Sequence, residues 1–335
     1  MRKSRLGIVL IAGIAVLAAV YVWRQTAPQK AAPQNLLTQR SPERQAEKPE
    51  THVSESRAAP SLEKKPAQTD IKRQFSESRN YWDYAHEILP AAKAGNADAQ
   101  FYLSKILEFC DLANKTYFQR NGTNLTLDQA LQLAVERKRP VEVTQAVFER
   151  CHEFQAHDAA ELGSAKEWLA QATKAGQPIA EATTAQKMYS QEYVKSFLKA
   201  GASPTPENTA PPIGDGADPH DLLLAAVKSL DPEALFAVSM AQGAHEQLHP
   251  PSDGKDTNQL AWMLVACQRG YDCSGSPDWL TTGCPNCGTR SPANQTPDNR
   301  MMTIAGDDWP AVQQRAQEIN AKLDVGQWDE LDLGS

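Results

Sequence analysis

The chain has 335 residues, a formal net charge of −7 and 41% hydrophobic residues. That length allows one or two domains with a sizeable core. The acidic balance excludes a basic surface built to track phosphates, so the sequence makes no case for nucleic-acid binding.

The first predicted element is an uncharged apolar run over residues 6–23, preceded by Met1-Arg2-Lys3-Ser4-Arg5. Its 18 residues are near the lower limit for crossing the hydrocarbon core and exceed most signal-peptide cores. No small-x-small cleavage site follows, and the exit Tyr21-Val22-Trp23-Arg24 puts aromatics at interface depth. Residues 1–24 are expected to form a transmembrane signal anchor with a cytoplasmic N-terminus, a cleaved signal peptide being the alternative. Either way the rest is exported, which places a single-pass protein in a bacterial inner membrane with its C-terminal domain in the periplasm.

Residues 25–75 carry Pro28, Pro33, Pro42, Pro49, Pro60 and Pro66 among Gln, Ala, Lys, Glu and Ser, with no apolar periodicity. Such a segment cannot bury enough to order itself and reads as a disordered tether. As a flexible coil of about 50 residues it would reach roughly 40 Å.

The folded region is expected over residues 76–335. In residues 81–110, Trp82, Ala85, Leu89 and Ala92 share one helical face, and Ala99, Leu103, Ile106, Leu107 and Cys110 share another. Gly95 stands where a left-handed residue ends a helix, and Asn96 can cap the next. The result is a predicted αα-hairpin. Residues 111–126 are polar and Asn-rich, a predicted loop. Thr126-Leu127-Asp128-Gln129 has capping-box form, and Pro140 separates that helix from one over residues 141–154.

A second hairpin covers residues 168–189, with Gly176 at its turn and Pro178 in the first helical turn. A third covers residues 222–241, where Asp231-Pro232-Glu233 supplies a cap, an N1 proline and an acidic first turn in place of a glycine. Residues 203–219 hold five prolines and read as a linker. Asp256 or Thr257 can cap a helix over residues 258–268. A last helix starts at Asp308-Trp309-Pro310 with Val312, Ala316, Ile319 and Leu323 on one face. Strand alternation is absent, so the exported domain is expected to be all-α.

The segment KAGNADAQFYLSKIL (93–107) resembles the centre of a Sel1-like repeat, a relative of the tetratricopeptide repeat. Ala92, Gly95, Ala99 and Leu103 occupy its A-x-x-G-x-x-x-A-x-x-x-L signature. Residues 168–189 and 222–241 are similar, more degenerate copies, separated by insertions. The resemblance implies an α-hairpin solenoid that serves as a protein–protein interaction scaffold, without catalysis and without a cofactor. A second resemblance is to the lipase-specific foldases, whose R-x-x-F-D-Y motif is similar to Arg79-Asn80-Tyr81-Trp82-Asp83-Tyr84. Trp82 replaces the Phe there, and Ala85-His86-Glu87 departs from the family's continuation. It would imply a chaperone of exported lipases.

In an exported chain, paired cysteines point to disulfides. Cys110 ends the first hairpin and Cys151 lies on a helix after one insertion, so a bond between them would staple that insertion down. Cys267, Cys273, Cys284 and Cys287, in the Cys-rich part 256–290, allow three pairings. Cys267–Cys273 with Cys284–Cys287 is preferred, against a four-thiolate zinc site or a Cys284-x-x-Cys287 redox dithiol.

His245-Glu246-Gln247-Leu248-His249 is a literal H-E-x-x-H. On a helix it would put two imidazoles on one face for zinc, with Glu246 as general base. Gly243 before it and Pro250-Pro251 after it argue against a continuous helix. No His-x-x-Gly-x-x-His extension follows, and only Asp253 and Asp256 remain as near third ligands. An exposed polar helix end is therefore the expectation, with a zinc metallohydrolase using His245, Glu246 and His249 as the alternative. His152 and His157 read as surface histidines. Asn114, Asn121, Asn124 and Asn294 head N-x-S/T triplets, and Trp279, Trp309 and Trp328 read as core, cap or ligand platform. The sequence thus points to a membrane-anchored scaffold for an unidentified protein partner.

Overall fold

The computed structural model describes residues 68–137, 139, 141–199, 216–250, 257–273, 301–302 and 304–334. The apolar run 6–23, Asp253, Asp256, Trp279, Cys284, Cys287 and Asn294 lie outside them. Among the described residues no helix is long and apolar enough to cross a membrane.

The described chain is almost entirely helical. Helix α1 (Gln68–Glu77) enters residues expected to belong to the tether. Ile71 and Phe75, four apart, give it an apolar edge, and Phe75 is buried, stacking at 5.1 Å on Tyr81. Helix α2 (Tyr81–Lys93) is capped by Asn80, whose side chain accepts from the backbone N–H groups of Trp82 and Asp83. Its buried face is Tyr81, Tyr84, Ala85, Ile88 and Ala92. The expected stripe is thus rotated: Trp82 and Leu89 are only half-buried, because α1 and the following helix meet the Tyr81 edge.

Helix α3 (Ala97–Ala113) is capped by Asn96. It is buried nearly all round, with Ala99, Phe101, Tyr102, Leu103, Ile106 and Cys110 in the core. Between α2 and α3 the Gly95 N–H donates to Ala92 and the Asn96 N–H to Ala91. This closure needs φ +91° at Gly95.

The predicted loop 111–126 is more ordered than its polarity suggests. Helix α3 runs into it, a π-turn covers Asn114–Phe118, and Gln119–Arg120 pairs with Thr123–Asn124 across an Asn121-Gly122 turn. Phe118 is fully buried, and this anchors the excursion. Helix α4 (Leu127–Glu136) starts in the expected reciprocal capping box of Thr126 and Gln129. Helix α5 (Val141–Cys151) ends at Cys151, three residues earlier than predicted, and a short turn Glu153–Ala156 follows.

The second hairpin is α6 (Ala165–Lys174) and α7 (Pro178–Lys199), with Gly176 at φ +73°. Gln177 Oε1 accepts from the Ala180 N–H at 2.6 Å and so caps α7. The third is α8 (Pro219–Lys228) and α9 (Pro232–Leu248), with Asp231 accepting from the N–H groups of Glu233 and Ala234. The glycine missing from this turn has a substitute: Leu230 adopts φ +54°. Helix α10 (Thr257–Gln268) ends at Gly270, and α11 (Trp309–Val325) buries the predicted Val312, Ala316, Ile319 and Leu323.

Packing follows chain order. α2 pairs with α3, α3 with α6, α6 with α7, α7 with α8 and α9, α9 with α10, and α10 with α11. The core has two parts: one gathers α1 to α3, the insertion, α6 and the first turns of α7 and α9, the other gathers the rest of α7 to α11 and the closing residues Leu331 and Leu333. Disulfides Cys110–Cys151 and Cys267–Cys273 span Cα separations of 5.2 and 5.7 Å. The first is fully buried and fixes α5 to α3.

Candidate functional site

Helices α3, α7 and α9 are the second helices of the three hairpins, and all three face one groove enclosing about 220 Å³. From α3 come Phe101, Lys105, Glu108, Phe109 and Leu112; from α7 come Ile179, Thr183, Gln186, Lys187 and Ser190; from α9 come Glu233, Phe236, Ala237 and Met240. The positions recur at three- to four-residue intervals, so each helix turns one stripe to the groove. Tyr271 stacks on Phe236 with ring centroids 4.2 Å apart and closes one end. Leu112 is half-exposed at the mouth.

Charge is placed at the seams between these helices. Lys187 pairs with Glu108 across α7 and α3. Glu233, in the first turn of α9, meets Lys72 of α1 at 2.7 Å and Lys105 of α3 at 3.9 Å, and accepts from the Tyr102 hydroxyl at 3.2 Å. Burial alone would raise the Glu233 carboxyl, but Lys105 and Lys72 outweigh it and hold the group below the ordinary carboxylate value. Burial, reinforced by that negative charge, pushes the Tyr102 phenol well above its usual range. The groove therefore offers apolar side chains, a hydroxyl- and amide-bearing edge and ion pairs at its seams.

The sequence reading overlooked this lining, since it followed the stripe that packs each hairpin against itself. A second stripe was present: Phe101, Lys105, Glu108, Phe109 and Leu112 repeat at helical spacing on the opposite edge of α3. Gly95 and Gly176 lie in inter-helix turns, Asp231 caps α9, and none of the three lines the groove.

The H-E-x-x-H segment lies at the C-terminal end of α9 with Gln247 and His249 exposed, but the helix is unbroken there, contrary to expectation, and His245 and Glu246 are half-buried. Helix α9 continues to Leu248, with His249 donating its N–H to His245 at 2.8 Å. Gly243 does not break it, because it is buried where a Cβ would run into the Gln259 side chain of α10. His245 and His249 do share a face, with ring centroids 4.9 Å apart. Glu246 points elsewhere: Oε1 accepts from the Gln259 N–H at 3.3 Å, at the start of α10, where a carboxylate favours a helix N-terminus.

His245 is half-buried between Tyr189, at 5.0 Å, and Gly334, whose carbonyl accepts from the Tyr189 hydroxyl. Burial first, then His249, lower its pKa, with Asp332 opposing. Among the described residues no group of three His, Cys, Asp or Glu is placed to hold a metal ion.

The remaining candidates serve structure. In the foldase-like segment Asn80 is a cap, Tyr81 is buried, and the Tyr84 hydroxyl donates to the Ile71 carbonyl at 2.7 Å. Asn121 and Asn124 are exposed, Asn114 half-buried. Trp309 and Trp328 pack partly buried on the second core. His152 and His157 are not isolated surface groups, as both pack on aromatic rings. No family model matches the chain, and neither the curated proteins nor the solved structures contain a match.

Proposed function

We propose that this chain is a membrane-anchored, exported scaffold of Sel1-like helical hairpins that holds another protein in the groove between α3, α7 and α9. The observation that carries the reading is the groove itself, lined by the equivalent second helix of three successive hairpins. Serial packing of hairpin on hairpin supports a solenoid, since most of the contact between hairpins joins one to the next in the chain. Two disulfides fit export to an oxidising compartment, and the apolar run 6–23 supplies the anchor. A partner would seat apolar side chains against Phe109, Phe236 and Met240, with Thr183, Gln186 and Ser190 offering hydrogen bonds along one edge.

Photo-crosslinking residues placed at Leu112, Gln186 and Met240, in the full chain and in native membranes, test this. One partner protein captured at all three positions is the expected result, lost in a Thr183→Arg, Gln186→Arg variant that still melts cooperatively. Capture indifferent to that variant, or restricted to positions outside the groove, would remove the reading.

A further inference from the structure

Two histidines of the insertion and its neighbouring hairpin stand between pairs of atoms that can only accept hydrogen bonds. His86 on α2 has its Nδ1 2.9 Å from the Trp82 carbonyl oxygen and its Nε2 2.8 Å from Glu161 Oε1. His152 has Nδ1 3.1 Å from the Phe148 carbonyl and Nε2 3.2 Å from Glu153 Oε1. A neutral imidazole carries one N–H and can serve only one of two acceptors; the imidazolium carries two and serves both. A third histidine, His157, stacks on the Trp82 indole at 4.9 Å with an interplanar angle of 21°, and its Nε2 lies 3.2 Å from the other Glu153 oxygen. Phe154 closes the edge of Trp82 at 5.1 Å and His86 lies 4.6 Å from it.

We propose that the His86 imidazole is a proton-operated clasp that fastens the turn Ala159–Leu162, and with it the segment after Cys151, onto α2 as the pH falls below neutrality. The surrounding charge favours it. Glu161 faces His86 from the 3-10 turn Ala159–Leu162, and Asp83 adds its charge from α2 itself. Glu153 serves both His152 and His157. Glu87 on α2, Glu149 on α5 and Asp158 after His157 add further carboxylates on the elements that meet here. The cation on α5, Arg150, is directed to the Tyr81 ring and the Ser78 carbonyl. With His86 neutral, the carboxylates dominate; its protonation supplies both the missing donor and the countercharge.

The His86 pKa is accordingly raised, first by the Trp82 carbonyl and then by Glu161. A raised folded-state value means that its stabilisation is complete below the unfolded value of 6.5 and is lost as pH rises through the folded one. The fastened segment follows Cys151, whose bond to Cys110 reaches the turn of α3 that carries Phe109 and Leu112. The clasp itself does not depend on what the groove holds.

Hydrogen exchange on the full chain at about pH 5.5 and about pH 8, corrected for intrinsic rates, reads the clasp directly. Protection of amides 153–162 should be higher at the lower pH by about threefold, as befits part-exposed pairs, while protection within α3 stays level. His86→Gln should abolish that difference. Equal protection at both pH values, or a difference that survives in His86→Gln, would overturn the proposal. Should that variant not fold, the wild-type imidazole titrations by NMR decide it: a His86 midpoint above that of free imidazole is required, and one at or below it overturns the clasp.

Discussion

Gly95 and Leu230 occupy the same place in two helical turns, each directly before the residue that caps the next helix, and both are left-handed, at φ +91° and +54°. Glycine enters that region freely, whereas a leucine pays a steric cost of about 1 kcal/mol. The Leu230 side chain is 40% exposed and recovers little of that by burial. Leu230→Asn should therefore raise stability by about 0.5–1 kcal/mol, since asparagine tolerates the conformation. Gly95→Val or Gly176→Val should lower it by about 1–2 kcal/mol. Thermal unfolding of the three variants reads both signs, and a destabilised Leu230→Asn would contradict the strain.

Glu233 joins α1, α3 and α9 through Lys72, Lys105 and Tyr102. Glu233→Ala leaves the Tyr102 hydroxyl and the Lys105 ammonium without their acceptor, at a cost of about 2–3 kcal/mol, discounted because Lys72 is half-exposed. The pH dependence has a defined sign. With its pKa lowered from 4.5, the carboxylate contributes stability that is present above that value and is lost as pH falls through the folded one. Urea unfolding at about pH 4 and about pH 7 should show the variant's deficit shrinking in acid. A deficit unchanged between the two pH values would deny Glu233 its ionic role.

Cys110 and Cys151 close a sequence separation of 41 residues. Replacing both with alanine should cost about 4 kcal/mol by the chain-entropy argument. The loss should also expose the insertion, seen as faster proteolysis between residues 111 and 151. Non-reducing peptide mapping of the wild type should recover Cys110 linked to Cys151 and Cys267 linked to Cys273.

His245 carries the opposite pH sign from His86. Its folded pKa lies below 6.5, chiefly through burial, so stability is greatest above 6.5 and falls as the pH drops toward the folded value. Between about pH 7 and about pH 5.5 the docking of residues 331–334 over Tyr189 and His245 should weaken. His245→Gln should flatten that trend, measured as the pH dependence of amide exchange at Leu331 and Leu333. A trend unaltered in the variant would place its origin elsewhere.

The local features were legible in the sequence because their causes are local. Capping by Asn96, the Thr126–Gln129 box, the glycine turns at Gly95 and Gly176 and the buried face of α11 each depend on residues a few positions apart. All-α character follows from the same periodicity. The pairing Cys110–Cys151 could be read because only one hairpin end and one helix competed for it.

Only the tertiary structure decided which edge of each helix serves what. Periodicity shows that α3 is amphipathic but not that it is packed on nearly every side, nor that Phe101, Phe109 and Leu112 line a groove shared with α7 and α9. Glu233 and Tyr102 are 131 positions apart, and His86 and Glu161 are 75. Gly243 looked like a helix breaker, but its missing side chain lets α10 approach α9, and Glu246, placed like a catalytic base in its motif, instead meets the start of that helix. A local pattern fixes what a backbone can form; which side chains meet is set by packing between segments whose contact leaves no periodic trace in either one.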